Sequence, residues 1–247
     1  MTKLSRRVFL GTAPAAAAAA GVFGTFFSTA AEAAIKWDET YNVIVIGAGG
    51  AGLSAAVSAK EAGAKKVVVL EKMMFAGGNT IRAGGGFNAA IKADYEKAGI
   101  TDSPKLHAEQ TLAAGDGRGD PVLVHQLTEK APESVQWLKD HGVKFQDHIY
   151  QIYGGLYKRA RNPIGPRGGA YIKALLEVCK KEDIPILYNT RVVEIIREHQ
   201  LSGRVLGVKV EQKGGKTLYL RATNAVVAAS GGFAANDRLT AISDPRM

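Results

Sequence analysis

Residues 41–71, YNVIVIGAGGAGLSAAVSAKEAGAKKVVVLE, constrain the fold of this chain more than any other stretch. Behind Asn42 come Val43, Ile44, Val45 and Ile46, a continuous apolar run of the length that a strand buried on both faces needs. A helical pattern follows at once, and between the two stand Gly47, Gly49 and Gly52 in G-x-G-x-x-G spacing. In a strand-to-helix turn the first glycine permits a tight bend, the second lets a ligand approach the backbone, and the third packs helix on strand. The free N–H groups and dipole at the start of that helix favour a pyrophosphate. Val67, Val68, Val69 and Leu70 read as a second parallel strand, closed by Glu71. A carboxylate there accepts hydrogen bonds from a ribose 2′-hydroxyl and repels a 2′-phosphate. The motif therefore predicts FAD or NAD rather than NADP.

A net charge of +9 on 247 residues raises the question of nucleic-acid binding. The cations are interleaved with acids and no basic-aromatic motif appears, so no nucleic acid is expected, and 29 glycines suit a cofactor fold better. The single cysteine, Cys179, excludes an internal disulfide and reads as a small core residue. There is no C-x-x-C-H stretch for covalent haem.

At the N-terminus, Arg6 and Arg7 precede an alanine-rich apolar run that closes with Ala31, Glu32 and Ala33. This is the pattern of a twin-arginine signal peptide over residues 1–33, cleaved after Ala33, and it predicts export to the periplasm of an already folded protein. An uncleaved membrane anchor is the competing reading, but the run lacks a stop-transfer pattern, so no stable membrane insertion is expected after cleavage. Residues 34–247 are then a dinucleotide-binding domain with a helical insertion at about 95–184.

Residues 72–90, KMMFAGGNTIRAGGGFNAA, add Gly77, Gly78, Gly84, Gly85 and Gly86. This density lets the backbone approach a flat ligand. With VIGAGGAGLSAA before it, the run resembles the flavin domain of the fumarate reductase and succinate dehydrogenase superfamily, in particular its soluble flavocytochrome c fumarate reductases and urocanate reductases. The resemblance covers about residues 38–247. It implies an α/β, two-dinucleotide-binding (Rossmann-like) domain with a β-meander, truncated before the capping domain. It also implies FAD contacts at Gly47, Gly49, Ala51, Gly52, Glu71, Lys72, Asn79, Thr80, Gly84, Gly85 and Gly86, with Val193 near the adenine and Gly231 near the pyrophosphate. The membrane-bound branch links its flavin to a histidine after the Asn-Thr pair. Here Ile81 and Arg82 follow, and no histidine occurs between Glu71 and His107, so non-covalent FAD is expected.

Further on, Ser103-Pro104 and Asp120-Pro121 each place a capping residue before a proline at the first helical position. A helix is expected from each, the second running through Leu123, Leu127 and Ala131. A third is expected through Trp137 and Leu138, stopping at Gly142. His107, His125 and His141 lack ligand-spaced partners and read as surface or packing residues, with no metal implied. Residues 150–169 carry Lys158, Arg159, Arg161 and Arg167 among glycines and prolines. Two readings stay open: a solvated basic loop, or cations facing the flavin that bind a carboxylate in bidentate fashion. On the second, Gly85, Arg159, Arg161 and Arg167 are the substrate candidates. Related fumarate reductases have a Ser-His-Arg-Pro segment here, a departure that weighs against fumarate itself as the substrate.

A helix over residues 171–181 and strands at 185–188, 192–197 and 205–212 are expected next. After a Gly214-Gly215 turn come a strand at 218–221 and a last parallel strand that enters Gly231-Gly232. The resemblance implies reduction of an α,β-unsaturated carboxylate by hydride from flavin, with electrons from a separate c-type cytochrome. It also implies that the catalytic arginine and substrate clamp lie beyond residue 247. The alternatives are a flavin dehydrogenase or oxidase acting on a ketosteroid or amino acid, or a truncated flavin-binding module without activity of its own.

Overall fold

The computed structural model describes residues 35–243, and the twin-arginine segment lies outside them. Strand β1 (Glu39–Ile46) is the centre of the molecule. It pairs in parallel with β2 (Val67–Leu70) on one side and with β9 (Thr217–Ala228) on the other. The sheet order is β6-β2-β1-β9-β8-β7, where β6 is Ile186–Leu187, β7 Thr190–His199 and β8 Ser202–Gln212. The strands from β6 to β9 run parallel, whereas β7, β8 and β9 form the antiparallel meander. The expected fold class is therefore present.

Alternation along β1 divides the core into two. Val43 and Val45 face helices α1 (Gly50–Glu61) and α5 (Gly168–Lys181), packing with Leu53, Val57, Ile172, Leu175 and Cys179. Ile44 faces the other way, with Val68, Leu70, Val208, Val210 and Leu220. Both faces of β2 are buried in this way, the reason its sequence is four apolar residues without alternation. Cys179 is a core residue on α5, and burial pushes its thiol up to about 11.

The last two expected strands are one. β9 runs unbroken for 12 residues, its first half closing the meander on β8 and its second half lying along β1. The polar stretch Thr223-Asn224, which breaks the apolar pattern, coincides with a bulge in the β1–β9 register between Tyr41 and Val43. There the Asn42 side chain donates to Thr223 Oγ1 and accepts from the Lys66 N–H, so the polar residues are satisfied without ending the strand.

Between β2 and α5 come α2 (Lys92–Lys97), α3 (Pro104–Ala114) and α4 (Pro121–Asp140). The Ser103 and Asp120 side chains cap α3 and α4 as their sequence context implies. The second and third expected helices, however, are a single 20-residue helix with Pro132 inside it. Thr128, Ala131, Val135 and Leu138 form one buried stripe that passes the proline, and packing of that stripe outweighs the one lost hydrogen bond. Gly142 ends the helix as expected, with φ +89 and a Val143 N–H to Leu138 carbonyl bond across it. Among the described residues no helix is long and apolar enough to cross a membrane.

The segment is not wholly helical. β3 (Phe87–Asn88), β4 (Tyr150–Gln151) and β5 (Lys158–Arg161) form a small antiparallel sheet of order β3-β5-β4. The basic stretch is thus a largely buried strand, not a solvated loop. Arg159 donates from Nε and Nη2 to Asp102, at 2.9 and 2.8 Å, and from Nη2 to Gln110. Arg161 pairs with Asp94 and donates to the Ala89 carbonyl. Each carboxylate comes from the turn or helix laid over the sheet, so the two ion pairs fasten the helical segment to it.

Asp102→Ala leaves the Arg159 charge buried and uncompensated, and is expected to cost about 3–5 kcal/mol of unfolding free energy, read by urea denaturation. Replacing both partners, with Asp102→Leu and Arg159→Met, should recover most of that loss. A cost below about 1 kcal/mol for Asp102→Ala would make the pair no stronger than a surface bridge.

Candidate functional site: the glycine edge of the parallel sheet

β1, β2 and β9 end along one edge, at Ile46, Leu70 and Ala228, the edge where open parallel sheets bind ligands. The three glycines of the first turn meet three different surroundings there. Gly47 has φ +105, and a Cβ on it would lie 2.5 Å from the Ala229 carbonyl oxygen. A Cβ on Gly52 would lie 1.9 Å from the Gly47 carbonyl oxygen, so helix and turn touch through backbone. A Cβ on Gly49 would make only ordinary contacts, with the Gly77 carbonyl oxygen at 3.9 Å and the Gly78 Cα at 4.0 Å. The first and third glycines are thus filled from within the protein, while the second, at the N-terminus of α1, has room for a methyl group against the Gly77-Gly78 loop.

A second loop leans on this turn. The Gly77 N–H donates to the Ala48 carbonyl, and the Gly50 N–H donates to Thr80 Oγ1 at 3.1 Å. Thr80 and its exposed neighbour Asn79 are thereby placed beside the first turn of α1, next to the exposed Ala51. Glu71 is buried, and its two carboxylate oxygens accept from the Ala48 and Met73 N–H groups, each at 2.9 Å. One acid at the end of β2 thus braces both the glycine turn and the loop after it. The Glu71 carbonyl accepts from Thr190, so β7 starts against it, and Val193 lies exposed three positions on. Lys72 is exposed beside Glu71.

Gly84, Gly85 and Gly86 are held from below. The Tyr171 hydroxyl donates to the Gly85 carbonyl at 2.7 Å, and a Cβ on Gly85, at φ +88, would meet the Arg167 carbonyl carbon at 2.8 Å. A Cβ on Gly86 would meet the Tyr150 hydroxyl, whereas Gly84 has nothing within 4 Å. Gly168 packs its bare Cα against the Thr80 carbonyl, seating α5 under the same loop. Gly231, at φ +84, has open space on its side of the edge. Neither Tyr171 nor Gly168 stands out in the sequence as a site residue. Their contribution is support at long range, and only the density of glycine around residue 168 hinted at it.

Of the candidate substrate cations, Arg159 and Arg161 are buried and paired with Asp102 and Asp94. Arg167 is exposed, at φ +54, with its backbone on Gly85. His141 sits on Glu61 at 2.9 Å and stacks on Trp137, and His125 lies 3.8 Å from Glu129.

A parallel βαβ unit with an open second glycine, an acid ending its second strand and a meander returning to a third parallel strand define a dinucleotide-binding flavoprotein domain. The chain belongs to the FAD binding domain family, whose model matches residues 42–246. It is 37% identical over 211 residues to a fumarate reductase (cytochrome) of Shewanella frigidimarina, a match that covers 85% of this chain and 36% of that protein. The structure resembles the open conformation of a flavocytochrome c3 fumarate reductase with a TM-score of 0.79 and 32% identity, over 85% of this chain and 37% of that one. It also resembles a 3-ketosteroid-Δ4-(5α)-dehydrogenase from Rhodococcus jostii RHA1, with a TM-score of 0.76 and 28% identity over 86% and 50% of the two chains. This chain therefore spans little more than a third of the fumarate reductase's length. The resemblance to the fumarate reductase flavoproteins and the expectation of FAD are both borne out.

The two kinds of glycine should respond oppositely to the same added methyl group. Gly49→Ala is expected to leave the melting temperature of the flavin-free protein almost unchanged while lowering FAD affinity. Gly52→Ala should destabilise by about 1–3 kcal/mol through overpacking, despite the better helix propensity of alanine. Differential scanning calorimetry with flavin titration checks both, and equal effects of the two changes would refute the division of roles.

Proposed function

We propose that this chain is the FAD-binding part of an exported oxidoreductase that reduces an α,β-unsaturated carboxylate. The observation that carries it is the pairing of the open Gly49 turn with Glu71, in a chain that is 37% identical to a fumarate reductase. Bound FAD would supply the hydride to the substrate's β-carbon. The chain's own part is binding and orientation. The first turn of α1 and Gly231 would hold the pyrophosphate, Glu71 would take the ribose hydroxyls, and Val193 would lie near the adenine. Asn79, Thr80 and Gly84–Gly86 would make further contacts with the cofactor. The cofactor is held non-covalently, since Ile81 and Arg82 follow Thr80 and no histidine occurs between Glu71 and His107.

Arg167 is the cation we assign to the substrate carboxylate, because it is exposed on the Gly85 turn while Arg159 and Arg161 are held by acids. Electrons arrive from a separate c-type cytochrome. The proton donor and the rest of the carboxylate clamp are not among the groups at this edge, and we place them in polypeptide beyond these residues. Without them the flavin face stays wet, which weakens the preorganised electrostatics such a reaction needs. The likeness to a ketosteroid dehydrogenase supports a second reading, a dehydrogenase acting on a ketosteroid, in which Arg167 has no carboxylate to meet.

The isolated 247-residue chain is expected to bind FAD and yet not to oxidise reduced methyl viologen with fumarate, urocanate or acrylate, a missing general acid alone costing a factor of about 10² to 10⁴. Extending it by the downstream coding sequence should bring activity with an enoate. Activity of the extended protein on a ketosteroid alone would favour the second reading, and robust turnover by the isolated chain would refute the placement of the catalytic groups.

Export rests on Arg6 and Arg7 ahead of the apolar run. Changing both to lysine keeps the charge but not the guanidinium geometry, and is expected to leave an FAD-loaded precursor in the cytoplasm. Normal processing of that variant, followed by immunoblotting of cell fractions, would remove the twin-arginine assignment.

A further inference from the structure

The small sheet has a polar cleft of about 200 Å³ on its flank, lined among others by Asn88, His107, Gln110, Thr111, Tyr157 and Arg159. Among the described residues no carboxylate lines it. Asp102 holds the Arg159 guanidinium from outside the lining, through Nε and Nη2, and Nη1 has no hydrogen-bond partner among the described residues. Gln110 accepts from Arg159 with its carbonyl oxygen, which turns its amide group into a donor without a partner. His107 is only 6% exposed, and its Nδ1 is buried with no partner at all. A buried ring nitrogen left unpaired beside a donor-rich cleft is an exception that calls for a partner from outside the chain, a water or a ligand.

We propose that this cleft binds a small carboxylate, with Arg159 Nη1, the Gln110 amide and the His107 ring as its donors. Cationic and amide donors facing a space that contains no competing acid are the complement of a carboxylate. Tyr157 lies under the Arg159 guanidinium, 5.0 Å from ring centre to its carbon, and spends its own hydroxyl on the Thr101 carbonyl. The guanidinium is therefore fixed on two sides before any ligand arrives.

His107 is kept neutral first by burial and then by Arg159, against the opposing pull of Asp102, so its pKa lies below 6.5. Those two, from β5 and from the turn before α3, are the charged groups that act on the ring, and its helix neighbours Gln110 and Thr111 do not titrate. An anion in the cleft reverses the balance and favours the imidazolium. Binding should thus take up a proton and tighten as pH falls from about 8 to about 6.

The inference stands on these contacts and does not depend on the reaction proposed above. The test is isothermal titration of the FAD-loaded 247-residue protein with fumarate and with acetate, in two buffers of different ionisation enthalpy. Saturable binding at one site with proton uptake is expected, weakened about tenfold or more by Gln110→Leu and by His107→Phe, with the flavin spectrum unchanged. His107→Gln, which keeps a donor but cannot gain a proton, should retain binding and abolish the uptake. Equal binding of acetate assigns the cleft to small carboxylates generally, and preference for fumarate assigns it to the unsaturated dicarboxylates. No saturable binding of either, or binding that Gln110→Leu and His107→Phe leave at full strength, overturns the proposal.

Discussion

Helix α1 lies against the end of β1 with no side chain between them: the Cα of Gly52 rests on the carbonyl oxygen of Gly47. Much of the structure depends on that contact. It brings the helix close enough for Ala56 and Val57 to reach the buried face of β1, and it aims the helix N-terminus past the sheet edge. The same closeness leaves room for the Gly77 loop to bond to Ala48, and so for Thr80 to reach the amide of Gly50. Any methyl group in that contact would tilt the helix and disturb everything seated on its first turn.

Those parts of the molecule whose cause is local could be inferred from residue order alone. β1, the glycine turn, α1, β2 and Glu71 are consecutive, and each states its own conformation through period, β-branching or the absence of Cβ. The caps at Ser103 and Asp120 and the stop at Gly142 belong to the same class. What escaped was decided at a distance. The unity of β9 depends on Asn42, more than 180 residues away, which satisfies Thr223 and turns an apparent break into a bulge. The unity of α4 depends on a buried stripe whose partners, Phe87 and Ala89, lie on β3 and just after it.

The basic segment shows the same limit in electrostatic form. Lysines and arginines among glycines look solvated or functional in sequence, because the carboxylates that neutralise them are far away along the chain. Asp94 and Asp102 come from α2 and the turn before α3, and each turns an arginine into part of the core. Burial of such a charge is tolerable only with its partner in place, so the pairs specify how the helical segment sits more than they add net stability. Arg167, one position before a helix and with no acid at hand, keeps its charge at the surface of the glycine edge.

The continuity of β9 has a mechanical consequence. At about 3.3 Å per residue its 12 residues form a rod of roughly 40 Å, hydrogen-bonded to β8 in its first half and to β1 along most of its length. A rod of this kind cannot slip by one position without turning its inward side chains outward, and its one irregularity, the bulge at Thr223 and Asn224, is pinned by the Asn42 side chain. The meander and the glycine edge are therefore kept at a fixed spacing, like two marks on one ruler. Whatever adjustment an extended ligand demands must be taken up at the free ends, by the turn at Gly231 and the loop at Gly77 and Gly78, where positive φ angles and missing side chains leave the backbone room to give.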